Sequence, residues 1–142
     1  MVVLRSKNEI EGLRRAGDLV ARALVLLSPH VRAGVRLSEL DRIVEEFIRS
    51  EGGEPTYKGY RPSPTVPPFP GTIRTAVNEE VVHGLPGSRR LRDRDIVGID
   101  VGATLAVGSA IPATRTRSAR SRHGPANSWT SPRSAWRPGS PR

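Results

Sequence analysis

The chain has 142 residues, 23 Lys+Arg against 14 Asp+Glu, and no cysteine. That length suits one domain, and the missing cysteines exclude a disulfide framework and any Cys-based metal site or nucleophile. The formal charge of +9 is unevenly placed: residues 106–142 hold seven Arg and no acidic residue, so residues 1–105 carry 16 basic against 14 acidic side chains, about +2.

In chain order, Ser6 and Glu9 form an S-x-x-E capping box. Ile10, Leu13, Gly17, Val20, Leu24 and Leu27 then recur at helical spacing, with Arg14, Arg15, Asp18 and Arg22 between them. The pattern predicts an amphipathic helix ended by Pro29. No stretch approaches the roughly 18 apolar residues of a membrane span, no secretory signal precedes the helix, and a cytoplasmic protein without membrane attachment is expected. Gly34 marks a turn. Ser38 offers a second N-cap before Leu40, Ile43, Val44, Phe47 and Ile48, the apolar face of a second helix that Gly52 and Gly53 close.

Residues 54–72 are rich in Pro and Gly. Tyr57, Tyr60, Val66 and Phe69 give this loop an apolar lining, which reads either as a rigid surface loop or as a pocket wall. Ile73–Val77 reads as a strand, Asn78-Glu79-Glu80 as a turn, and Val81-Val82-His83 as a second short strand ended by Gly84 and Pro86. Residues 88–95 are charged and loop-like. Ile96–Gly102 reads as a buried strand with one acidic residue inside it. Helices followed by strands predict an α+β domain, two helices packed on a mainly antiparallel sheet. The segment 106–142 has neither Leu nor Phe and is expected to be a disordered Arg/Ser/Pro-rich tail, separate from a folded domain over 1–105.

Two side chains stand out chemically. Asp100, between Ile99 and Val101, is a carboxylate in an apolar strand that needs a compensating partner, and a metal ion is one such partner while hydrogen bonding is another. His83 precedes Gly-Leu-Pro, where Gly84 and Pro86 restrict the backbone beside the imidazole; a structural role and a functional one both fit it.

The string Ala76-Val77-Asn78-Glu79-Glu80-Val81-Val82-His83-Gly84-Leu85-Pro86 resembles the signature of the type I methionine aminopeptidases, peptidase family M24. Asp95-Ile96-Val97-Gly98-Ile99-Asp100-Val101-Gly102 resembles the strand that carries that family's first metal aspartate. Ser6-Lys7-Asn8-Glu9-Ile10, Arg14-Arg15-Ala16-Gly17, Ala33-Gly34-Val35 and Glu39-Leu40-Asp41 resemble its opening, so the likeness runs from about residue 3 to residue 105. It implies the N-terminal half of a pseudo-symmetric pita-bread fold, with metal-dependent removal of the initiator methionine from nascent proteins near the ribosome. By resemblance Asp100 is a metal ligand, and His83 is catalytic and binds the substrate backbone. Tyr57, Tyr60 and Phe69 likewise form the walls of the methionine pocket. The intact family uses two divalent ions (Co, Mn, Fe, Zn or Ni). A non-peptidase or Pro-specific relative of the same fold is the competing branch, and the Val-Asn-Glu…His-Gly-Leu-Pro string favours the methionine branch.

Two departures stand against this pattern. Arg74 occupies a position where the family usually has a small residue or Cys, which would crowd or charge an apolar pocket. The family also needs a second Asp eleven residues after Asp100, where this chain has Ile111. After Asp100 there is no acidic residue, and the only His is His123. A shifted reading frame would account for the break, since the following residues can be written with codons that allow it. The codons GCG GTT GGT TCG GCG ATT CCG, written for Ala106–Pro112 and read from one base earlier behind a G, give Gly-Gly-Trp-Phe-Gly-Asp-Ser, with Asp at the required place. The metals are therefore not expected to be retained, and the chain as written is expected to be an inactive, monomeric fragment. The alternative is a non-catalytic module whose Arg tail binds RNA without sequence specificity.

Overall fold

The structure is a computed structural model that describes residues 5–107, 111–122 and 128–130, with side chains from 5 to 106. Helix α1 spans Lys7–Leu27 and α2 spans Leu37–Ser50; a short 3-10 turn, Ser28–His30, follows α1. Strands β1 (Gly53–Pro55), β2 (Ile73–Val77), β3 (Ile96–Val107), β4 (Ile111–Arg122) and β5 (Ser128–Thr130) form one sheet in which every pairing is antiparallel. The helices and strands are those of the expected α+β arrangement.

The expected capping box opens α1: Ser6 Oγ accepts from the Glu9 N–H, and Glu9 takes the Ser6 N–H in return. The buried stripe of α1 is Gly12, Ala16, Leu19, Val20, Ala23, Leu24 and Leu27. Ile10, expected on that face, is exposed. The second N-cap also differs from expectation: α2 starts at Leu37 with Arg36 as its cap, and Ser38 sits inside the helix. The unpaired N–H groups of the first turn are satisfied by backbone carbonyls, Arg89 for Leu37 and Gly87 for Ser38, so no capping hydroxyl is needed. Gly52, at φ +74°, closes α2 as expected.

Strand β3 is the spine. On one edge it pairs with β2 over Val97–Val101 and with β1 over Ala103–Leu105; on the other it pairs with β4 over its whole length. Leu37, Leu40, Val44 and Ile48 of α2 and the α1 stripe pack against Ile73, Val77, Val97, Ile99, Val101 and Ala103 to make the core. One expectation fails. Val81-Val82-His83 is not a strand: Asn78 and His83 take positive φ (58° and 64°), which breaks the extended run, and a single bridge, Thr75↔Gly84, is what pairs there. Beyond residue 107, the described backbone of 111–122 lies in β4 against the open edge of β3. There, strand pairing meets the backbone's hydrogen-bonding demand without the large apolar residues the segment lacks.

Candidate functional site

Alternation along the β2–β3 pair sorts its side chains onto two faces. Ile73, Thr75, Val77, Val97, Ile99 and Val101 are buried towards the helices. Arg74 and Asp100 are direct cross-strand partners, so they share the opposite face. The conformation of the connections decides what joins them there.

The 57–69 loop folds back on itself through three backbone bonds, Tyr60 N–H to Tyr57 C=O, Gly59 N–H to Phe69 C=O and Phe69 N–H to Tyr60 C=O. This brings the Tyr57 and Phe69 rings edge to face, centroids 6.5 Å apart. Tyr57 is 7% exposed, and its hydroxyl donates to Asp100 Oδ2 at 2.8 Å. Tyr57 and Phe69 thus face each other across the folded-back loop. Tyr60 differs: its side chain is 54% exposed, and its backbone is its tie to the loop.

The hairpin after β2 positions His83 by a series of specific contacts. Asp41, from α2, accepts the N–H groups of Thr72 and Ile73 at 2.7 and 2.8 Å and fixes where β2 begins. Burial pushes the Asp41 carboxyl above its ordinary value, against those two donors. At the other end, Asn78 in the left-handed region exchanges bonds with Ile96, N–H to C=O at 2.8 Å and N–H of Ile96 to Oδ1 at 2.9 Å, and its Nδ2 donates to Asp95. Glu80 caps the Val77 N–H and pairs with Arg89. Gly84 lies so close to β2 that a Cβ there would stand 2.2 Å from the Thr75 carbonyl oxygen, which explains why glycine follows the histidine.

The outcome is a linked set. The Arg74 guanidinium lies 4.0 Å above the Tyr57 ring and 5.6 Å from that of Phe69, and its Nη1 is 2.8 Å from His83 Nδ1. Asp100, Tyr57, Phe69, Arg74 and His83 are therefore joined, Asp100 through the Tyr57 hydroxyl and His83 through Arg74. Sequence reasoning singled out all five, yet it placed Arg74 as an intruder in the pocket and missed its bond to His83. The bond depends on the Thr75↔Gly84 bridge, which no local sequence pattern signals.

The described residues do not make a two-metal site. Among the described residues no three His, Cys, Asp or Glu side chains are grouped to hold an ion. Asp100 brings one carboxylate, and the position of the second aspartate is a hydrocarbon residue, Ile111, whose backbone pairs with Val107. The neighbouring cation on this face is a guanidinium. Among the described residues no helix is long and apolar enough to cross a membrane.

The model of metallopeptidase family M24 matches residues 11–126. A methionine aminopeptidase of Clostridium perfringens is 44% identical over 105 residues, 74% of this chain and 40% of that protein. Methionine aminopeptidase 1 of Bacillus subtilis is 43% identical over 105 residues, with the same coverage. The chain thus spans about two-fifths of the length of these relatives. Among solved structures, the methionine aminopeptidase of Thermotoga maritima superposes with a TM-score of 0.69 at 29% identity over 87% of this chain and 45% of its own. That of Rickettsia prowazekii gives 0.69 at 25% over 87% and 44%.

Proposed function

The chain belongs to metallopeptidase family M24, and from that premise we propose that it is the N-terminal half of a cytoplasmic methionine aminopeptidase, the enzyme that removes the initiator methionine from nascent proteins. The observation that carries this reading is the linked cluster of Asp100, Tyr57 and His83 on the sheet face turned away from the helices. In this reading His83 contacts the substrate backbone, Asp100 is the one metal carboxylate that this part of the sequence supplies, and Tyr57 and Phe69 wall the side-chain pocket. When bound, a divalent metal pair would polarise the scissile carbonyl and acidify a water. The described residues do not assemble that pair's ligands.

Arg74 bears on specificity. Its guanidinium covers the faces of the two aromatic residues that would receive an apolar side chain. A thioether would have to displace it from a cation–π contact of about 0.5–2 kcal/mol. Because most of the metal ligands are missing from the described residues, the 142-residue chain is proposed to be inactive. Incubated with Met-Ala-Ser and Co²⁺ or Mn²⁺, it should release no methionine, and turnover by the purified chain overturns the proposal. Sequencing the DNA across codons 100–112 tests the accompanying proposal of a shifted frame: no shifted frame that encodes Glu and His ligands downstream means that the frame argument is wrong.

A further inference from the structure

Arg74 and His83 meet through a bond whose direction is chemically forced. A guanidinium carries five N–H donors and no acceptor. At 2.8 Å from Arg74 Nη1, the Nδ1 atom of His83 must therefore be the acceptor, and the proton of the neutral ring must sit on Nε2. Both partners are held. Arg74 is clamped over Tyr57 at 4.0 Å and flanked by Phe69, with the strand register fixing its backbone opposite Asp100. His83 sits at φ +64°, a conformation a non-glycine residue adopts at a cost, next to Gly84, whose carbonyl takes the Thr75 N–H at 3.0 Å. Thr75 directly follows Arg74, so the bridge that seats the histidine also brings the arginine to it.

We propose that Arg74 is a positioning residue that locks the His83 imidazole in its Nε2–H tautomer, so that the ring meets a ligand as a hydrogen-bond donor and not as a base. The functional part rests on the reading of His83 as a substrate contact: a ring with Nε2–H donates to a peptide carbonyl or to the oxyanion that develops from it. Arg74 then has two consequences from one position, closing the aromatic pocket and setting the histidine's proton.

The test needs neither metal nor peptide, so its failure is distinct from failure of the peptidase reading. ¹⁵N-labelled 142-residue chain is examined by long-range ¹H–¹⁵N correlation at a pH where the ring is uncharged. The three histidines are resolved by the signals lost in His83→Gln. The expected spectrum has a pyrrole-type Nε2 and a pyridine-type Nδ1 for His83, with a coupling across the Nη1–H···Nδ1 bond. In Arg74→Leu the coupling should vanish and Nδ1 should move as it loses its donor, with a second tautomer appearing; Arg74→Lys should restore the single tautomer. A wild-type ring protonated on Nδ1, or a His83 spectrum unchanged in Arg74→Leu, overturns the proposal. If Arg74→Leu does not fold, the wild-type tautomer and coupling decide it alone.

Discussion

The helix-facing and helix-averted sides of the β2–β3 pair come from the same two strands in alternation, yet different physics holds each. Towards the helices, Ile73, Val77, Val97, Ile99 and Val101 are at most 1% exposed and make no demand beyond shape. Away from them, Arg74 and Asp100 face each other, and their surroundings are set by directional contacts to Tyr57, Phe69 and His83. The first side tolerates any well-packed apolar set. The second works only if a loop of prolines, a hairpin with left-handed residues and the strand register agree to within a hydrogen bond's length. A family can therefore keep its core cheaply and lose its chemistry by one substitution, or by an altered sequence a few residues downstream.

The largest effect belongs to the apolar side. Ile99→Ala should cost about 2–5 kcal/mol of unfolding free energy, from lost transfer energy plus the cavity left behind. A urea titration reads it, and a loss below about 0.5 kcal/mol would mean that the helices do not bear on β3 as described. Gly84→Ala breaks the junction between the two sides. Its new Cβ would meet the Thr75 carbonyl at 2.2 Å, so the hairpin must shift at about 1–3 kcal/mol, the usual cost of overpacking. Faster amide exchange at Thr75, whose N–H bonds Gly84, locates the damage; unchanged exchange there with normal stability contradicts the close approach. Tyr57→Phe touches only the polar side. It deletes the hydroxyl bond to Asp100 and keeps the ring beneath Arg74, so about 1 kcal/mol is expected, with the His83 tautomer unmoved. A changed His83 spectrum would mean that Asp100 and His83 are coupled through Tyr57 more tightly than two separate contacts allow.

The same division explains what the sequence revealed. Periodicity located α1, α2, β2 and the start of β3, because burial of one face writes itself into spacing. It erred where backbone groups found partners distant in sequence. Ser38 looks like an N-cap, but the carbonyls of Arg89 and Gly87 fill that role. Val81 and Val82 look like a strand, but the left-handed Asn78 and His83 on either side leave them exposed. The strand β1 is three residues long, too short to show a period. Of the site, Asp100 and His83 could be singled out as isolated polar residues in apolar settings. The contact between Arg74 and His83 could not, since it depends on a bridge nine residues apart that no local pattern encodes.

The smallest expected effect is a pH dependence that separates two acids, the buried Asp95 and the half-buried Asp41. Asp95 is held below its ordinary value of 3.8, first by the Arg92 N–H and then by the Asn78 amide. Its folded pKa being depressed, the unfolded chain binds more protons than the folded one below 3.8, so Asp95's contribution is whole above that pH and disappears as pH falls through the folded value. Asp41 runs the other way. Burial raises its pKa, so from 3.8 up to the raised value the folded chain holds the extra proton, and stability falls as pH rises across that interval. Glu9, lowered to about 2 by its capping bonds, adds a contribution of the Asp95 sign at the far end of α1. Denaturation midpoints measured across the acid range should thus lose part of their acid slope in Asp95→Asn, with wild type and variant diverging more as pH rises to about 4. Asn78→Ala should reproduce part of that change because it removes the second of the two causes. If Asn78→Ala leaves the acid slope of wild type intact, the Asn78–Asp95 bond does not hold the start of β3 to the end of β2, and the hairpin that carries His83 must be anchored by the Asn78–Ile96 backbone bond, Glu80 and Gly84.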